Sequence, residues 1–449
     1  MSLISNLKIS TSNYFNLLLT LIPFSFIAGN MVINIITILL IISSLIFFRK
    51  KILSINFYLL DKLLFLFFFL VLFTGIYNDI SLYRNHSEFF QWRGGYETSI
   101  KSIFFLKYLL LYVVVRFLIE KKIVNLKFFF IACAVSTLFV SLDIFYQYVQ
   151  GKDIFGFEIN PKYRKLGGPF GDEYIAGGFI QRFSIFAFFL FSVFYSKFST
   201  KYNFFINSAL FIIFFLGLIL TGNRMPFLLF LLSLLIMLAI EKHYRKNLIT
   251  FVLLGIFSFL IVLNFNPKIK ENFKHLYGTI SHIVTYTINY SLNKEDRTLD
   301  RSVTYMGEFV SFYNTWKANK IFGGGIKNFT FYCLNERTKL KTETISKCNM
   351  HPHNYYLEIL TETGLLGFLI IILVFAKTFY LLFYNKNFSL FNEENRKIIL
   401  PFFLLFFIEI FPIKSTGSFF TTGNASYIFL IFAILIGLIR KYNSIENKI

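Results

Sequence analysis

The strongest constraint on this chain is a series of apolar runs, each long enough to cross a hydrocarbon layer. A membrane-spanning helix needs about 20 mostly apolar residues. Runs of that kind lie near 14–28, 30–48, 57–76, 103–119, 123–147, 176–196, 203–221, 225–241, 249–264, 356–384, 398–412 and 425–440. They predict an all-α polytopic membrane protein of about 12 transmembrane helices. Composition agrees, with 56% hydrophobic and only 15% charged residues, against about 25% charged in a soluble domain. A water-soluble globule is excluded.

The net charge of +21, from 45 Lys and Arg against 24 Asp and Glu, could suggest nucleic acid. No basic helix or base-stacking module accompanies it, so no nucleic-acid partner is expected. Where the basic residues fall is more informative. With the N-terminus in the cytoplasm, the clusters at Arg49–Lys51, Lys121–Lys122, Arg245–Lys246, Arg396–Lys397 and Arg440–Lys441 all fall inside, and the short outside connections hold only Arg224 and Lys414. That asymmetry follows the positive-inside rule and predicts two cytoplasmic termini. The first apolar run leads into a second span rather than a cleavage site, so it reads as an anchor and not a signal peptide.

This topology divides the chain into N-terminal spans over 1–150, a periplasmic loop over 151–175, four spans over 176–264, a large and partly helical periplasmic loop over 265–354, and the last spans over 355–449. Loops of such length tend to be functional. The 64 Phe and 26 Tyr accompany frequent Ile, Lys and Asn. All five have A/T-rich codons, so nucleotide bias explains them more simply than aromatic ligand binding.

The candidate chemistry lies mostly in the outside loops. His353 directly precedes an apolar helical period, and Asn354 is a good helix N-cap, so the imidazole would sit at the positive end of that helix, which disfavours imidazolium and keeps a neutral, base-competent ring. Alternatively it is an interfacial anchor. Leu357, Leu360 and Gly364 fall on one face, and Gly364 with Gly367 would permit close helix contact. Arg224 occupies a turn of a few residues between spans and is either a snorkelling anchor or an anion clamp. Arg297 and Arg301 pose the same choice in the large loop. The run Gly323-Gly324-Gly325 lacks the Lys-Ser/Thr of a P-loop.

In the middle loop Arg164 stands among glycines and both charges, which could form a turn and no more. Lys107, Asp143 and Glu409 are the polar outliers of the spans, functional by default or snorkelling. Cys333 and Cys348 are expected to form a disulfide in an oxidising compartment. The rival is a metal site with His351 and His353, whose spacing is not a standard one. Asp-x-Asp, Ser-His-Asp and Walker signatures are absent, so a nucleotide-fed mechanism has no foothold and no metal or other cofactor is expected.

Together these pieces resemble one family. The pair His353-Asn354, followed by Leu357, Leu360, Glu362, Gly364 and Gly367, resembles the signature of the O-antigen ligase and O-antigen polymerase superfamily. Ile321 to Phe329 is similar to that family's Gly-x-Gly-x-x-x-Phe segment, and Thr221-Gly222-Asn223-Arg224 to its Thr-x-Ser-Arg turn, with Asn223 in place of Ser. The motifs run in the expected order over about 160–385. The resemblance implies a metal-independent inverting glycosyltransferase, fed by an undecaprenyl-diphosphate-linked glycan, with lipid A-core or a growing glycan as acceptor. By position, His353 would be the base and Arg224 would bind the donor diphosphate. Arg301 would be the second phosphate ligand, with Arg297 competing for that role. Asn354, Gly323, Gly325 and Arg164 would support the site. The enzyme would be a multi-pass protein of a bacterial inner membrane, in contact with membrane lipids, with its active site on the periplasmic side. A lipid-linked glycan flippase is the rival of another class, and it predicts polar, Gly/Pro-broken spans near the midplane.

Overall fold

The computed structural model describes residues 10–85, 91, 94–159, 165–195, 200–241, 245–291, 304–340, 348, 352–384 and 393–446. Among them the protein is helical, with no sheet and one isolated bridge between Lys152 and Glu158. The helices are α1 (Thr11–Ala28), α2 (Asn30–Phe48), α3 (Leu59–Asn85), α4 (Glu97–Phe105), α5 (Lys107–Glu120), α6 (Leu126–Gln150), α7 (Ala176–Phe194) and α8 (Thr200–Leu220). They continue as α9 (Arg224–Ile240), α10 (Arg245–Phe265), α11 (Pro267–Ser291), α12 (Thr304–Ala318), α13 (Phe329–Leu340), α14 (Tyr355–Phe383), α15 (Glu393–Glu409) and α16 (Thr422–Glu446).

Nine candidate spans among the described residues are long and apolar enough to cross a membrane, α4 and α5 forming one of them, so this is a polytopic membrane protein. Every apolar run of the sequence lies on a helix. The runs at 14–28, 225–241 and 398–412 fall on α1, α9 and α15, which have 18, 17 and 17 residues. Polar residues dilute α1, and α15 opens on Glu393 and Glu394. In α10, only 17% of the apolar window is buried, and Leu253, Phe257 and Phe265 are exposed. A surface of that kind is stable against lipid and costly against water.

The chain divides into two compact units. The first comprises 1–36, 123–299 and 393–408; the second comprises 37–122, 300–392 and 409–449. In the first, α7 packs against α6 and α8, and α1 against α6. Gly217 allows the close approach of α8 to α6, because a Cβ there would stand 3.2 Å from Ser141. Phenylalanines fill this core: Phe186 meets Phe129, Phe130 and Phe402, and Phe211 stacks on Phe251 at 4.8 Å.

In the second unit α16 lies along α5, and α14 packs on α3 and α12. Gly437 permits the first contact, since a Cβ there would be 2.9 Å from Ile119. A fully buried Arg116 on α5 is ion-paired with Asp61 and Glu120, each at 2.5 Å. Tyr112 donates to the same Asp61 carboxylate at 2.6 Å. Such a group is tolerable inside a protein only because both the charges and the hydrogen bonds are matched.

Candidate functional site

His353 stands at the start of α14 in the second unit. It is half-buried and has φ +53, a left-handed backbone uncommon for non-glycine residues, histidine being among those that adopt it more readily. The residues that follow hold it in place. Asn354 is the N-cap, its side-chain oxygen accepting the N–H of Tyr356 at 3.0 Å and of Leu357 at 3.1 Å. The amide group of the same side chain donates to the Pro412 carbonyl at 2.8 Å, and Tyr356 donates its hydroxyl to the Ile410 carbonyl. Lys414, buried, donates to Glu409 at 2.5 Å and to Tyr355 at 2.8 Å, and Tyr355 donates in turn to Glu409 at 2.7 Å. Segment 409–414 therefore holds the turn that carries His353.

A second set of ties comes from the large loop. Cys333 and Cys348 form a disulfide. Cys333 belongs to a buried cluster with Phe312 and Phe329, against which Cys348 and Leu357 pack. The bridge thus joins α13 to Cys348, which precedes His353 in the sequence.

Ten residues into α14 the helix breaks. Gly364 has φ +68 and ψ −172, and the backbone groups released there are taken by segment 320–325. Gly324 and Gly325 donate to the Thr361 and Glu362 carbonyls at 3.0 and 2.8 Å, and Leu365 donates to Lys320 at 2.9 Å. The approach is backbone against backbone: a Cβ on Gly364 would overlap the Ile321 carbonyl, and one on Gly323 would overlap Glu362. Leu357, Leu360 and Gly364 were expected on one face of a continuous helix, but Gly364 ends that helical segment. Gly323 and Gly325 serve as the partner of this break.

Glu358 and Glu362, one helical turn apart on α14, are both buried. Glu358 accepts from the Ser418 hydroxyl at 2.5 Å and the Phe419 N–H at 2.6 Å, and the Lys327 ammonium is 4.0 Å away. Lys327 also donates to Ser418 at 2.8 Å.

Arg224 belongs to the first unit and is the first residue of α9. The turn before it is held from several sides. Gly222 has φ +67, Leu166 donates to the Thr221 carbonyl at 3.3 Å, and Asn272 on α11 donates to the Gly222 carbonyl at 3.0 Å. Gly177 lies so close that a Cβ would stand 2.7 Å from Thr221 and Asn223. The half-buried Arg224 makes no ion pair with a described residue. Burial, and then the Arg224 guanidinium, hold the Lys165 ammonium below its usual range. Two cations that repel one another beside a helix N-terminus favour an anion.

Of the residues expected in the site, Arg164, Arg297, Arg301 and His351 lie outside the described residues. His353, Asn354, Gly323, Gly325, Cys333 and Cys348 belong to the second unit and Arg224 to the first. Sequence alone assigned no role to Lys165, Lys327, Glu358, Tyr355 or Lys414. Lys414 had a readable signal, because it follows Glu409 by five residues at the end of an apolar run. Glu409 is 1% exposed, so it is an internal ion-pair partner and does not snorkel. Asp143 likewise turns inward, accepting from the Ile154 N–H at 2.8 Å.

Residues 209–372 match a family model described as O-antigen ligase. The matched span includes Arg224, the Gly323–Gly325 run, His353, Asn354 and Gly364. No curated protein matches the chain.

Proposed function

We propose, from the premise that residues 209–372 form an O-antigen ligase family domain, that this protein moves an undecaprenyl-diphosphate-linked glycan onto an acceptor hydroxyl at the periplasmic face of a bacterial inner membrane. The acceptor is lipid A-core. The observation that carries the reading is the match itself, which holds the Arg224 turn, the glycine run and His353-Asn354 in one span.

In the proposed reaction His353 takes the proton of the acceptor hydroxyl. The oxygen bonds to the anomeric carbon as the bond from that carbon to the phosphate oxygen breaks, and the electron pair leaves with the diphosphate. Attack opposite the leaving group inverts the anomeric centre. Arg224, with Lys165, takes the charge that grows on the diphosphate. Cationic side chains suffice for that charge, so the mechanism is metal-independent. Arg301, or Arg297 in its place, adds a second guanidinium, and Arg164 supports the donor site. The energy is stored in the glycosyl diphosphate linkage, so no nucleotide is consumed outside the cytoplasm.

The same reading places both termini in the cytoplasm, gives twelve crossings with α1, α9 and α15 as the shorter three, and assigns 151–175 and 265–354 to the periplasm. Reporter fusions at Lys51, Lys122 and Lys386 should report the cytoplasm, and a fusion in 292–303 the periplasm.

In a strain lacking the native gene, His353→Ala and Arg224→Ala should each abolish capped lipopolysaccharide while the protein remains in the membrane. Normal glycan from both variants would refute the enzyme reading. Deletion should accumulate long lipid-linked chains. Accumulation of single lipid-linked repeats would make the protein a polymerase, which shares this chemistry and differs in acceptor.

A further inference from the structure

One small cavity of the second unit, with room for about one water-sized particle, is lined by Glu362, Thr361, Thr315, Asn319, Tyr332, Phe329 and the Gly324–Gly325 backbone. Its polar lining has spent its hydrogens elsewhere. Thr315 donates to the Ser311 carbonyl at 2.7 Å and Thr361 to the Leu357 carbonyl at 2.8 Å. Tyr332 donates to the Asn78 side chain at 2.6 Å, and the Asn319 amide to Gly323 at 2.6 Å and to Asn78 at 3.4 Å. The two glycine N–H groups are bound to the Thr361 and Glu362 carbonyls. What remains on these side chains is oxygen lone pairs.

Glu362 is 1% exposed, and neither of its carboxylate oxygens accepts a hydrogen bond from a described residue. The Lys327 backbone N–H faces the carboxylate without reaching hydrogen-bond geometry. The charges acting on it are Glu358, Lys327 and Lys101. Lys101 is paired with Glu97 at 2.5 Å, and Lys327 lies beside Glu358 at 4.0 Å. Matching each cation to its nearer carboxylate leaves an ionised Glu362 without a compensating charge among the described residues, and an isolated buried carboxylate is costly.

We infer that this cavity is a monovalent-cation site for an ion of the sodium or potassium class. The Glu362 carboxylate is its charged ligand, and the Thr361, Thr315 and Asn319 oxygens supply neutral ones. A lone carboxylate matches a single positive charge, whereas calcium sites gather several acidic ligands. The bound ion joins α12 to α14 at the place where α14 breaks, and so stabilises the break. The inference rests on the donor and charge inventory of the cavity and is independent of glycan transfer.

The test is thermal unfolding of the purified full-length protein in detergent, titrated with sodium, potassium or lithium chloride against N-methylglucamine chloride at constant ionic strength. A ligand that binds only the folded state raises the melting temperature saturably. The site predicts a saturable, cation-specific rise that Glu362→Gln abolishes, with Thr315→Val raising the half-saturating concentration tenfold or more. Identical melting in all four salts would overturn the inference, leaving a proton on Glu362. An undiminished rise in Glu362→Gln would place the ion elsewhere and overturn it equally. Should Glu362→Gln fail to fold, Thr315→Val decides, and an unchanged half-saturating concentration refutes the site.

Discussion

The Asn354 side chain donates to the Pro412 carbonyl at 2.8 Å while its oxygen caps α14. One side chain thus ties the start of the helix to segment 409–414, immediately beside His353. Asn354→Ala removes the cap, worth about 1 kcal/mol, and also this tie. The expected outcome is a modest drop in melting temperature with glycan transfer down at least tenfold, because a small displacement of a reacting group is costly. Asn354→Asp keeps a capping oxygen but sets a carboxylate against a carbonyl, so stability should recover more than transfer. Melting and transfer assays on the same preparations check both.

Gly364 and Gly94 separate two costs of glycine replacement. Both have positive φ, +68 and +93, but a Cβ at Gly364 meets the Ile321 carbonyl whereas one at Gly94 meets nothing within 4 Å. Gly94→Ala should cost about 1–2 kcal/mol of backbone strain. Gly364→Ala should remove folded protein from the membrane fraction, measured by size-exclusion profile in detergent.

Lys414 and Glu409, 5% and 1% exposed, form an ion pair at 2.5 Å. Breaking a buried pair by removing one partner costs about 3–5 kcal/mol. Lys414→Met should lower the melting temperature accordingly, and the double variant Lys414→Met with Glu409→Gln should regain most of the loss.

The Cys333–Cys348 bridge spans a separation of 15 residues. Closing a loop of that size is worth about 3 kcal/mol in the chain-entropy account. Cys333→Ser should destabilise the protein to that extent and make its melting insensitive to reductant, which scanning calorimetry with and without a phosphine can read.

Lys165 gives a pH dependence of definite sign. Burial and Arg224 lower its folded pKa below the unfolded value, so between the two the unfolded state binds more protons and stability rises with pH. Raising the pH through the folded pKa toward 10.5 should stabilise the protein, and Lys165→Met should flatten that part of the profile. Inorganic pyrophosphate, by placing negative charge beside both cations, should be bound with proton uptake, measurable by calorimetry in buffers of different ionisation heat.

Much of this was legible in the sequence because its cause is local. A run of apolar residues favours a helix wherever it occurs: each run found by inspection lies on one, and nine of the twelve lie on helices long and apolar enough to cross a membrane. Asn354 caps α14 because its own side chain reaches two amides of the next turn. The break at Gly364 was not legible, since a glycine spaced three residues from another fits a close helix contact equally well. Only segment 320–325, some forty residues earlier in the chain, decides that the helix opens there.

The sequence by itself determined that the chain is helical and lives in a membrane, and roughly where its apolar helices lie, since hydropathy and capping act within a few residues. Tertiary structure alone decided which charges are compensated. It gave Lys414 to Glu409 and Lys327 to Glu358, set Lys165 against Arg224, and left Glu362 with no ion-pair partner among the described residues. Electrostatic energy depends on distance and burial, and neither can be read from the order of residues along a chain.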